Sequence, residues 1–205
     1  SYLKNEVVDY GVKQGKEGVT VGQHGLVNRY DIGQPVWYFY GYKAIGIFQD
    51  TAEINHYGTV NPTTGQFVKL QSTAKPGDIK FADLPVDSLG GVGDGVIDGN
   101  DRTYLGKPMP DWTFGFTIGC EYKGFDFTVF FQGVTGNQIY WASYRNDRTE
   151  YNKNLIWYEN RWTGPGTSNK YPRAANSDFS KIFKVSSLNV YDGDYLRLKS
   201  LTLGY

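Results

Sequence analysis

Residues 112–134 read WTFGFTIGCEYKGFDFTVFFQGV, and this stretch decides the fold class. From Trp112 to Tyr122 two kinds of residue alternate without a break. Trp112, Phe114, Phe116, Ile118, Cys120 and Tyr122 fall on one face, and Thr113, Gly115, Thr117, Gly119 and Glu121 on the other. A period of two marks a strand with one apolar face. Lys123-Gly124 follows, a two-residue turn with glycine where a primed turn takes positive φ. Phe125, Phe127, Val129 and Phe131 then resume the apolar phase against Asp126, Thr128, Phe130 and Gln132. Pairing Tyr122 with Phe125 sets Cys120 opposite Phe127, Ile118 opposite Val129 and Phe116 opposite Phe131. Every pair is apolar on the same face, which is what fixes a register. The segment is predicted to be a β-hairpin.

Each strand has the length, about 9–11 residues, that a tilted transmembrane β-strand requires. The opposite face carries Glu121, Asp126, Gln132, Thr113, Thr117 and Thr128, too wet for a sandwich core and suited to an aqueous lumen. On this reading Phe114, Phe116, Ile118, Phe127, Val129 and Phe131 face lipid. A soluble sheet with one solvated face alternates in the same way, so the pattern alone leaves both readings open. In a soluble sheet, however, the aromatics near the turn need a second apolar layer, and few other apolar strands are present to supply it.

Working outward, residues 195–205 form a third strand in which Leu201, Leu203 and Tyr205 share a face. Leu196 and Leu198 have the opposite parity, which calls for a bulge near Lys199-Ser200 or a first half outside the apolar layer. A weaker fourth strand is expected at residues 5–10. Between the strands run two long excursions, 11–110 and 135–194. Loops of that length are rare in compact soluble domains. A short turn at one end and long loops at the other is the asymmetry of outer-membrane barrels. The fold class is therefore all-β, part of a transmembrane antiparallel barrel. The pattern stops inside a strand at Leu203-Gly204-Tyr205, as a fragment of a larger barrel would, and barrel closure needs more strands.

In the second excursion Tyr151, Leu155, Tyr158 and Trp162 are spaced like one face of a short helix. Asn146-Asp147 offers an N-cap and Gly164-Pro165 a stop. Such a helix packs its aromatics on the rest of the loop, or it presents a platform for sugar or peptide. The candidates for substrate contact are Tyr140, Trp141, Trp157 and Trp162.

Residues 93–101 read GDGVIDGND and resemble the latter part of a calcium loop. With Asp94 at position 5, Gly95 takes the sharp turn, Val96 supplies a carbonyl, and Asp98 and Asp101 fall at positions 9 and 12. The first two ligand positions would be Gly90 and Val92, which have no ligating side chains; Asp83 or Asp87 would have to substitute. The alternative is a Gly/Asp turn held by side-chain hydrogen bonds to its own backbone. Calcium is the one cofactor the sequence raises.

Composition removes other classes. The 205 residues carry 21 Lys+Arg against 21 Asp+Glu, so no basic surface for nucleic acid is expected. Hydrophobic residues make up 40%, which argues against disorder, and 17% are aromatic beside 26 glycines. Cys120 is the single cysteine, an apolar filler with no disulfide partner in the chain. No apolar run reaches the roughly 18 residues of a membrane-spanning helix, which says nothing against barrel strands. His24 and His56 sit in no paired metal spacing, and there is no GxSxG or P-loop. The sequence reads as no enzyme.

Taken together, several segments resemble the SusC/RagA family of TonB-linked outer-membrane transporters of Bacteroidetes-type bacteria. They are Lys4–Val8, Tyr38–Tyr42 through Gly46–Gln49, Pro76–Asp83, Asp94–Arg102, Gly106–Gly136 and Asp192–Tyr205, in family order. The family usually runs an Asp-x-Asn-Gly-Asp-Gly sequence straight after Lys-Phe-x-Asp, whereas here residues 85–92 separate Asp83 from Asp94. The resemblance implies a large barrel around a plug domain that this stretch lacks, and a position in the later barrel. It also implies a SusD-like surface lipoprotein as lid, and TonB-driven import of oligosaccharides or peptides. The competing reading is a secreted or surface carbohydrate- or protein-binding β-domain, a calcium-stabilised adhesin-like module.

Overall fold

The computed structural model describes residues 1–9, 11, 16–18, 25–61, 64–85, 91, 93–142, 154–175 and 184–205. In chain order the strands are β1 (Lys16–Glu17), β2 (Asn28–Tyr30), β3 (Tyr38–Tyr42), β4 (Ala44–Ile47), β5 (Gly58–Val60), β6 (Phe67–Lys69) and β7 (Ile79–Phe81). They continue with β8 (Arg102–Gly106), β9 (Trp112–Tyr122), β10 (Phe125–Thr135), β11 (Gln138–Tyr140), β12 (Val190–Asp192) and β13 (Tyr195–Gly204). Two short helices are α1 (Thr51–His56) and α2 (Leu155–Asn160).

The alternating stretch makes the hairpin β9–β10 in the expected register, Tyr122 against Phe125 through Phe116 against Phe131. Lys123 (φ 50°) and Gly124 (φ 86°) are both left-handed, the primed turn that matches strand twist. On the other side of β10 lies β13, so the sheet order is β13-β10-β9. Its register shifts between Phe130, opposite Ser200, and Phe131, opposite Leu198, which leaves Lys199 unpaired as a bulge. The bulge resolves the parity conflict. Leu196 and Leu198 come to oppose Gly133 and Phe131, while Leu201 and Leu203 oppose Val129 and Phe127.

All three strands thus share one unbroken apolar face. Aliphatic and phenylalanine side chains fill its middle, with Phe116 stacked on Phe131 at 5.0 Å. Aromatic pairs edge both ends: Phe125 with Tyr205 at 4.7 Å beside the turn, and Tyr2 with Trp112 at 4.8 Å at the other rim. Nothing among the described residues covers this face. Ile118 is 53% exposed and Leu203 76%, while Val129, flanked by Ile118 and Leu201, is the buried side chain of the apolar face and Gly133 is the other buried position of the sheet.

The other face carries Thr117, Glu121, Asp126, Thr128, Gln132, Arg197 and Thr202. The apolar exceptions are Phe130, lying against Gly115, and Val134, opposite Thr113 and Tyr195.

Both excursions leave the sheet at one end, where Trp112, Thr135 and Tyr195 meet; the Lys123-Gly124 turn lies at the other. They are not structureless. Residues 11–110 contain β1–β8 and α1, with a four-stranded sheet ordered β1-β2-β3-β8 and the pairs β4-β7 and β5-β6. Strands of two to five residues are too short to show a period of two, which is why the alternation missed them. The second excursion contributes β11-β12 and α2. The core lies here rather than in the sheet: Ile47, Ile79 and Phe81 pack with Tyr42, Ala44, Ile97, Trp162 and Leu188.

Two further expectations are corrected. Residues 5–9 form no strand; Val7 exchanges single backbone hydrogen bonds with Gly33 and Gln34, and the bridge to β9 is made by Tyr2 instead. Tyr10 lies outside the described residues. In α2 the cap is Asn154, accepting from Trp157 N at 2.8 Å, and the helix ends at Asn160, before Trp162. Leu155 and Tyr158 are exposed and Trp157 is buried. The spacing through Tyr151 and Trp162 runs past the helix, so the largest side chain within it, Trp157, sets the inward face. Tyr151 and Asn146-Asp147 lie outside the described residues.

Candidate functional site

The two excursions form one body through pairs far apart in sequence. Arg173 Nε donates to Asp78 Oδ1 at 2.7 Å, and Lys75 N donates to Asp78 Oδ2 at 2.8 Å. Asp78 is fully buried. A buried carboxylate needs such partners, because an uncompensated one is strongly disfavoured. Next to it Gly77 has φ 88°, and a Cβ there would sit 2.6 Å from the Trp162 ring. Glycine is needed both for the backbone and for the space.

Gln49 is the second tie. Its Nε2 donates to Ile47 O and Ser168 O, and its Oε1 accepts from Trp162 Nε1 at 3.2 Å and Gly166 N at 2.8 Å. Asn169 Oδ1 accepts from Ile47 N at 3.0 Å, and Tyr42 N donates to Val185 O at 2.8 Å. The Gly46–Gln49 and Pro76–Asp83 segments therefore hold the second excursion in place. Gln49→Leu in the full-length protein should cost about 1–3 kcal/mol, because it removes four hydrogen bonds, three of them part-buried. Faster hydrogen exchange across residues 164–169 would register the loss; unchanged protection would reject it.

The acidic loop takes the geometry of a self-capped turn. Asp98 caps a 3-10 turn at Gly99–Asp101 by accepting from Asn100 N, and Asp101 Oδ2 accepts from Asp98 N at 2.7 Å. Asp101 Oδ1 accepts from Leu84 N at 2.7 Å, and Asp94 accepts from Val96 N at 2.9 Å. Asp83 approaches from the preceding segment and accepts from Gly95 N at 3.2 Å. Burial, with help from Asp101 and Asp94, pushes the Asp83 carboxyl above its usual range. Among the described residues no three Asp, Glu, His or Cys side chains are arranged to hold a metal ion. Asp94, Asp98 and Asp101 are engaged with backbone N–H groups instead.

The aromatic candidates do not share one open platform. Trp157 is buried, and Trp162 is held between Gly77 and Gln49. Tyr140 packs on Phe39 at 5.9 Å and Trp141 edge-on to Tyr191 at 5.4 Å.

What the sequence did not disclose is a cationic-aromatic set. The guanidinium groups of Arg29 and Arg102 lie 4.5 and 4.6 Å from the centroid of the Tyr40 ring. Lys184 lies over Tyr42. No local motif signals these pairs, since the partners come from segments well separated in sequence.

No family profile matches the chain. Three proteins of Formosa agariphila resemble it: TonB-dependent receptor P26, 32% identical over 98% of the chain; P3, 32% over 84%; and P39, 31% over its full length. The chain spans 19%, 15% and 21% of those relatives, about a fifth of a receptor. Two solved structures share its fold. The RagAB peptide importer in the open-open state matches 97% of this chain and 18% of that one, at TM-score 0.53 and 16% identity. A second structure, of the RagAB peptide transporter, matches 86% and 17% at TM-score 0.51 and 20% identity. These relatives are receptors and transporters, not enzymes. With relatives of this kind along its whole length, and long amphipathic strands topped by a loop body in a fold shared with a part of the RagAB importer, this chain belongs to the TonB-dependent receptors, as a segment of about a fifth of their length.

Proposed function

We propose that this segment supplies wall and outer-loop structure to an importer of oligosaccharides or peptides. The importer works with a SusD-like surface lipoprotein as lid and takes its energy through TonB. The observation that carries the reading is the uncovered apolar face of β9, β10 and β13. Phe114, Phe116, Ile118, Phe127, Val129 and Phe131 on it face lipid, and the polar face turns to an aqueous lumen. A soluble monomer rarely leaves so large an apolar surface to water. The loop body stands at the rim opposite the short turn, where loops on a rigid scaffold meet ligand. The fold shared with the RagAB peptide importer supports the peptide branch of the proposal.

Because the excursions interlock, removing 135–194 would uncover the core of the other, so uptake is better tested with the intact receptor. Cells carrying the full-length protein should take up one labelled class, oligosaccharide or oligopeptide. Uptake should cease when either the lipoprotein gene or TonB is deleted. Uptake indifferent to both deletions, or release of the protein from cells without detergent, would overturn the proposal.

A further inference from the structure

The half-buried ammonium of Lys184 lies over two aromatic rings, 4.3 Å from the centroid of Tyr42 and 5.5 Å from that of Phe81. Among the described residues it has no hydrogen-bond acceptor and no ion-pair partner. The carboxylates that act on it electrostatically are Asp101 and Asp98, and both already accept backbone N–H groups. Burial outweighs their attraction and holds the amine below the usual lysine range. An ammonium placed this way has lost part of its water without gaining an acceptor among the described residues.

Lys184 also lines a cleft of about 190 Å³, with Leu70, Phe81 and Ile97 as apolar wall and Ser72 and Thr73 beside it. Pockets that enclose a whole drug-sized ligand run from about 300 to 1,000 Å³, so this cleft suits one group of a larger molecule. A recess of mixed lining, with one cation and neighbouring hydroxyls, selects an anionic oxygen group, because hydrogen bonds in which donor and acceptor are both charged are the strong ones. We propose that the cleft is an oxyanion subsite, in which Lys184 holds a carboxylate or sulfate group of a ligand captured by the loop body. The inference rests on the import reading for the origin of the ligand, not for the chemistry of the cleft.

The test is trace acetylation of the full-length receptor in detergent with a neutral N-hydroxysuccinimide ester. Labelling of the Lys184 peptide is read by mass spectrometry in sodium sulfate, sodium acetate or sodium chloride at equal ionic strength. A bound oxyanion favours the unreactive ammonium and shields it. Labelling should therefore fall about threefold once the anion reaches twice its dissociation constant. Lys123, exposed at the hairpin turn, should label equally in all three salts. Protection by sulfate alone assigns the subsite to sulfate esters, protection by acetate alone to carboxylates, and protection by both to either group. Equal labelling of Lys184 in all three salts overturns the proposal. If a neutral substrate is still imported in that case, the subsite falls and the import reading stands.

Discussion

Replacing Arg173 with alanine in the full-length receptor is expected to destabilise the loop body by about 3–5 kcal/mol, the cost of leaving one member of a buried ion pair alone. Asp78 is fully buried, and Arg173 supplies its side-chain counter-charge at 2.7 Å. Lys75 N, donating to the other carboxylate oxygen, does not neutralise the charge. The loss should be local. Protease cleavage and hydrogen exchange should rise across residues 75–81 and 162–173, while β9 and β10 keep their protection. Arg173→Lys should fall between, since it keeps the charge but not the planar donor geometry. An Arg173→Ala receptor with the protection pattern of the parent would contradict this account.

The second large effect concerns the sheet. Ile118→Arg should cost about 2–4 kcal/mol if the residue lies near the bilayer midplane. Thr117→Arg, one residue away on the polar face opposite Phe130, should cost little. Truncation separates lipid from protein surroundings. In a protein core Ile118→Ala would leave a cavity costing about 2–5 kcal/mol, whereas acyl chains can refill the space and soften the loss. Reversible unfolding of the receptor in lipid vesicles measures all three. Equal tolerance of arginine at 117 and 118 would remove the barrel interpretation.

How much of this was legible depends on distance along the chain. The hairpin register could be read residue by residue because a two-residue turn and a period of two leave one solution. The bulge was half readable: the parity change between Leu198 and Leu201 left either an extra residue near Lys199-Ser200 or a first half outside the apolar layer, and the register decides for a bulge at Lys199. The loop body was not readable. Its strands are too short for periodicity, and its ties join Asp78 to Arg173 and Gln49 to Trp162 across about a hundred positions. The α2 face was misjudged because the spacing was carried past a helix that ends at Asn160. Lys184 carried no signal, since what marks it is the pair of rings beneath it, drawn from β3 and β7.

The interlocking of the two excursions also bears on how such receptors diversify. A recombination that exchanged residues 11–110 alone would bring in a new partner for Arg173, Trp162 and Asn169, and break the ties to Asp78, Gln49 and Ile47 together. An exchange bounded by β9 at one end and β13 at the other would divide the body in the same way. Only a transfer spanning both excursions, with the hairpin between them, carries a complete body. Loop bodies built on this plan are therefore inherited as a linked pair, and the hairpin travels with them as a passenger.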